Sequence, residues 1–114
     1  ESDESLIDAA AREVWEETGL SLTPQGLVGS YLFTSPLNNI TYLRFCFYYE
    51  FDQAPPPCKP QDDAIINCHW LTLTELETEQ TKLRSALVLE VIEDFEAGQQ
   101  ADLSLVKHYP LATV

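Results

Sequence analysis

Residues 4–20 read Glu4-Ser5-Leu6-Ile7-Asp8-Ala9-Ala10-Ala11-Arg12-Glu13-Val14-Trp15-Glu16-Glu17-Thr18-Gly19-Leu20. Leu6, Ala10 and Val14 recur every four residues, with Ile7 and Ala11 beside them, which is the period of a helix that buries one stripe. The run opens on polar, acidic residues and closes on Gly19, a residue suited to the left-handed turn that ends helices, so a helix over 5–18 is predicted. On that helix Glu13, Glu16 and Glu17 stand at i, i+3 and i+4, within one arc about 100° wide. Like charges so placed destabilise a helix by roughly 0.2–0.5 kcal/mol per pair, and Arg12 alone stands near to offset them. Two readings follow from the helix by itself. Either the face is solvated by bulk water, or it holds a cation, for which a hard divalent ion such as Mg²⁺ is the natural choice. Such an ion takes carboxylate oxygens, keeps several waters and is completed by substrate phosphates.

The rest of the chain sets the context. Its 114 residues carry 19 acidic and 6 basic side chains, a formal net charge of −13. That length predicts one domain with a small core, and a 45% hydrophobic content is too high for a disordered acidic tail. The charge argues against nucleic-acid duplexes and anionic membranes as partners, since both need a positive footprint. No apolar run approaches the ~18 residues of a membrane span, and no secretory signal opens the chain. Three cysteines (Cys46, Cys58, Cys68), an odd number with no CxxC pair, read as reduced thiols in a cytoplasmic protein. The acid is uneven: Glu1, Asp3, Glu4, Asp8, Glu13, Glu16 and Glu17 crowd the first 20 residues.

Beyond the first helix, residues 27–33 and 40–51 are rich in β-branched and aromatic side chains and flank Ser35-Pro36-Leu37-Asn38-Asn39, a turn composition, so a hairpin at the centre of a sheet is predicted. Pro55, Pro56, Pro57 and Pro60 make residues 52–63 a loop. Residues 64–71 read as a third strand. Thr72 or Thr74 caps a short helix through Leu76, and a last helix over 85–97 stops at Gly98 with Val88, Val91, Ile92 and Phe95 on one face. The order gives an α/β class, a mixed sheet with helices packed on it.

Glu4, Arg12, Glu13, Val14, Glu16, Glu17, Gly19 and Leu20 together resemble the Nudix box, the G-x5-E-x7-R-E-U-x-E-E-x-G-U signature of the Nudix hydrolases, meeting every defined position after the opening glycine. The resemblance implies an α/β/α sandwich with Mg²⁺ or Mn²⁺ bound around a diphosphate. It implies Glu13, Glu16 and Glu17 as metal ligands, with Glu13 or Glu17 also deprotonating the attacking water. Glu4 and Arg12 are expected to form a structural ion pair that braces the loop. Because the chain starts within the signature, the resemblance also implies one N-terminally truncated Nudix domain over 1–114, without the strands that normally precede the box.

Ala9-Ala10-Ala11-Arg12-Glu13, Leu43-Arg44-Phe45, Cys68-His69-Trp70, Leu83-Arg84-Ser85, Leu87-Val88 and Gly98-Gln99 carry a nearer resemblance, to bacterial phosphatases of that family. It implies a phosphoanhydride bond in a small nucleoside di- or triphosphate, or in a pyrophosphorylated metabolite such as thiamine pyrimidine pyrophosphate, as substrate. Arg44 either clamps substrate phosphate, or faces solvent or pairs with Glu50 or another acid. Arg84, beside Ser85 as a helix N-cap, is a second phosphate candidate. Asp62 or Asp63 adds a carboxylate to the metal or simply belongs to a solvated loop. Tyr42, Tyr48 and Tyr49 stack on a base or pack in the core; Trp70 is read as core, and His69 and His108 are assigned no role. Against hydrolysis stand a non-catalytic nucleotide-binding or regulatory module of the same fold and, last, an acidic surface protein. A monomer or homodimer is expected.

Overall fold

The first helix starts where a side chain can replace an absent backbone partner. Ser5 Oγ accepts the Asp8 N–H at 3.0 Å and caps α1, Leu6–Thr18. The helix ends at Gly19, whose φ of 76° is left-handed and whose N–H donates to the Trp15 carbonyl at 2.7 Å. A Cβ at Gly19 would run into the Lys59 carbonyl oxygen, so the glycine answers both to the turn and to a close approach. These elements come from a computed structural model that describes residues 4–51, 53–64, 70–78 and 86–109.

The hairpin forms as its composition predicts: β1, Gly26–Thr34, pairs antiparallel with β2, Thr41–Tyr48. Its turn is closed by Ser35 N–H to the Ile40 carbonyl at 2.9 Å, and Asn39, a residue tolerant of the left-handed region, takes φ 59°. The second strand is shorter than expected. After Tyr48 the Glu50 N–H turns to the Gln25 side-chain oxygen instead of the ladder. A bulge at Val28 shifts the register between Leu27 and Gly29, and the Val28 carbonyl accepts from Gln99 Nε2 at 3.1 Å.

Two further helices follow, α2 at Leu73–Thr78 and α3 at Ala86–Glu96. Thr72 opens α2 with a reciprocal cap: its hydroxyl accepts from the Glu75 N–H at 3.1 Å, while Glu75 Oε1 accepts from the Thr72 N–H at 2.9 Å. One face of the hairpin rests on α3, through Tyr31 Oη donating to Asp94 at 2.7 Å and the Tyr48 and Phe95 rings 4.9 Å apart. Behind α3 the chain returns across β1, where Leu27 and Ala101 exchange backbone hydrogen bonds of 2.9 and 2.7 Å. Among the described residues only Pro24, Gly26 and Val28 are buried, and the remaining apolar faces meet around an open cavity.

Some expectations are revised. Trp70 is not core: it is 47% exposed, edge-on to Phe51 at 5.6 Å, and its indole N–H donates to the Pro56 carbonyl at 2.9 Å. The thiols are not all reduced, since Cys46 is free but Cys58 is disulfide-bonded. Residues 65–69, most of the third predicted strand, lie outside the described residues, as do Arg84 and Ser85.

Candidate active site

The site is built on the exit of α1. Arg12 gathers two carboxylates: it donates to Glu4 through Nε at 3.0 Å and through Nη2 at 3.1 Å, and to Glu16 through Nη1 at 3.1 Å. The Glu4 carboxyl is held below its ordinary range, chiefly by these Arg12 hydrogen bonds. The two acids in turn push the guanidinium further up, Glu4 foremost. The expected Glu4–Arg12 brace is therefore present, and Glu16 shares it.

Glu13 and Glu17, one turn apart, point to a different neighbourhood. A cavity of about 700 Å³ opens between α1, β2 and α3, and both glutamates line it. Its other walls are Arg44 and Phe45 of β2, Tyr49 just past β2, and the apolar stripe Val88, Val91 and Ile92 of α3. Acidic and basic side chains thus border the same cavity. Arg44 is exposed, with its guanidinium 5.1 Å from the centre of the Phe33 ring, a cation–π arrangement. An ion pair between Arg44 and Glu50 does not form among the described residues.

The proline-rich loop is tied to the end of the same helix. Lys59 N–H donates to the Thr18 carbonyl at 2.6 Å, and the Gln61 and Asp62 N–H groups both donate to the Glu16 carbonyl, at 2.8 and 2.9 Å. Carbonyls at the end of α1, orphaned by helix geometry, find their donors there. The backbone of Asp62 is thereby fixed beside the box glutamates, although its carboxylate is turned to the Ala64 N–H at 2.9 Å. Pairing of this loop with the helix end carried no signal in the sequence, because it runs through backbone atoms alone.

Whether these residues suit a divalent cation is a matter of donor chemistry. Exposed carboxylates on one helix face are hard oxygen donors, suited to Mg²⁺ or Mn²⁺ rather than to softer metals. Among the described residues no three His, Cys, Asp or Glu side chains are gathered around one point. One or two carboxylates with water and substrate phosphate are, however, the usual complement of Mg²⁺, and Glu13 with Glu17 supplies that number. The set fits the ion.

Comparison with known proteins bears on this geometry. The NUDIX domain model matches residues 1–92, which include the whole of α1, the hairpin and the loop that meets the helix end. The chain belongs to the Nudix family. Phosphatase NudJ of Escherichia coli O1:K1 is 39% identical over 106 residues, covering 93% of this chain and 67% of the relative. NudJ of Shigella flexneri matches with the same 39% identity. The solved structure of a NUDIX hydrolase from Nitrosomonas europaea superposes with a TM-score of 0.82 at 38% identity, over 96% of this chain and 73% of that one. The protein is thus a Nudix hydrolase with the mixed α/β fold of that family, similar to the NudJ phosphatases. Such enzymes act on small phosphorylated substrates and generally work with a divalent metal. No helix among the described residues is long and apolar enough to cross a membrane.

Proposed function

We propose that this Nudix enzyme hydrolyses, with Mg²⁺ or Mn²⁺, a phosphoanhydride bond in a small nucleoside di- or triphosphate or a pyrophosphorylated metabolite such as thiamine pyrimidine pyrophosphate. The observation that carries the reading is the cavity that Glu13, Glu17 and Arg44 line together. A diphosphate carries several negative charges and enters an acidic cleft only if they are compensated. When bound, a divalent ion supplies that compensation and lowers the pKa of a coordinated water.

The chain's own groups do the rest. Glu13 and Glu17 hold the ion from adjacent turns, and Glu16, oriented through one oxygen by Arg12, is the third candidate ligand. Glu13 or Glu17 takes the proton of the attacking water, a role within reach of a carboxylate that faces the cavity. Arg44, whose planar donors match phosphate oxygens in pairs, steadies the group farther from the attack. Arg84 is a further candidate for phosphate, and Asp62 or Asp63 for the ion. The apolar wall of α3 keeps bulk water from the bound anhydride. Residues 1–114 act in this reading as one Nudix domain.

A screen of nucleotides and thiamine-precursor pyrophosphates with Mg²⁺, scored for phosphate against pyrophosphate release, tests the proposal. Release that requires the ion is expected with at least one of them, and Glu17→Gln is expected to lower kcat by about 10²-fold or more while the fold persists. Undiminished turnover in Glu17→Gln would sink it. Stabilisation by nucleotide without Mg²⁺, and no product, would point instead to a binding module.

A further inference from the structure

Tyr31, Tyr42 and Tyr48 each have a partner for the phenolic oxygen: Asp94 at 2.7 Å, Asn38 Nδ2 at 2.9 Å and Gln100 at 3.2 Å. Tyr49 differs. Its hydroxyl is buried and makes no hydrogen bond, the one side-chain polar atom so placed among the described residues. Buried polar groups are nearly always paired in native structures, so an orphan of this kind calls for a partner that another state provides. The candidates are those that share its surroundings. Tyr49 lines the same cavity as Glu13 and Glu17, so their carboxylates are the acceptors nearest to hand in the space it borders.

We propose that Tyr49 is a positioning residue: its phenolic O–H donates to the Glu13 carboxylate when the site is loaded, fixing which Glu13 oxygen remains for the ion and water. The inference rests on the reading of Glu13 given above. A tyrosine suits this task, because its ring is set by only two side-chain torsions and its place just after β2 ties it to the hairpin. Glu13, by contrast, is an exposed side chain on a long stem, whose carboxylate otherwise samples many orientations. Donors behind a ligand of this sort typically change metal affinity or activity 10–100-fold.

The test uses the whole protein, with Mn²⁺ alone as the probe of binding and turnover of the best substrate as a second readout. Tyr49→Phe keeps the ring and removes the donor. About 10-fold weaker Mn²⁺ binding is expected, with a fall in kcat, KM for substrate unchanged and the melting temperature preserved. In a Glu13→Ala background the same Tyr49→Phe change is expected to have no further effect on Mn²⁺ affinity. Wild-type Mn²⁺ affinity and kcat in Tyr49→Phe overturn the inference while leaving Glu13 in its role, and so does an equal loss in the Glu13→Ala background. Glu13→Ala that binds Mn²⁺ like the wild type overturns the role of Glu13 and this inference together.

Discussion

Arg12 holds Glu4 and Glu16 at once, and the consequence is a pH dependence whose sign can be worked out. The folded protein binds a proton at Glu4 less readily than the unfolded chain, because the Arg12 hydrogen bonds favour the carboxylate. The stabilisation is therefore complete above the unfolded value of about 4.3 and is lost as pH falls through the lower folded one. Melting curves at neutral pH and at about pH 3 should differ less in Glu4→Gln than in wild type. Tyr31 gives the opposite limb. Burial, and then its hydrogen bond to Asp94, push the phenol up to about 12. Its contribution is present below the unfolded value of about 10 and disappears as pH rises from there through the folded value. Tyr31→Phe should flatten the loss of stability over that alkaline range. At this scale the sequence discloses the Glu4–Arg12 pair, since eight residues bring both to one side of a helix start. It hides Tyr31–Asp94, a pair separated by 63 positions, and the orphan hydroxyl of Tyr49, which only packing creates.

Elements are legible where a local rule acts alone. Ser5 and Gly19 mark both ends of α1, and the hairpin turn lies where Asn38 and Asn39 place it. Thr72, rather than Thr74, caps α2: both have a glutamate three residues on, but Thr74 already lies inside the helix, where its carbonyl accepts from Thr78 Oγ1, while Thr72 and Glu75 form the reciprocal pair. β2 ends three residues before its aromatic composition does, since that composition continues through Phe51 while the backbone donor of Glu50 has left the ladder. The sharpest prediction here concerns Gly19. Alanine at that position must adopt a left-handed conformation and also displace the Lys59 carbonyl, so Gly19→Ala should cost roughly 1–3 kcal/mol in chemical denaturation. Ser5→Ala, which removes only the cap at the other end, should cost about 1 kcal/mol.

For the molecule as a whole, a net charge of −13 with its densest part on α1 makes cation binding a stabilising event. Mg²⁺ at about 100 times its Kd should add about 2.7 kcal/mol. The rise in melting temperature, read by calorimetry, should vanish on chelation and in a Glu13→Gln, Glu17→Gln double variant. The family was legible because its signature is local, eight defined positions within 17 residues on one helix and its flanks. The cavity was not, because its walls come from α1, β2 and α3, and no periodicity records how three elements stand apart.

The loop over 53–64 meets α1 through main-chain atoms: the Lys59, Gln61 and Asp62 amides, against the carbonyls of Glu16 and Thr18. An attachment of that kind is indifferent to most side chains. Lys59 and Asp63 are exposed and free to vary in charge without loosening the helix exit. The loop can therefore change in composition, in evolution or by redesign, while the helix exit and the glutamates it carries stay in register.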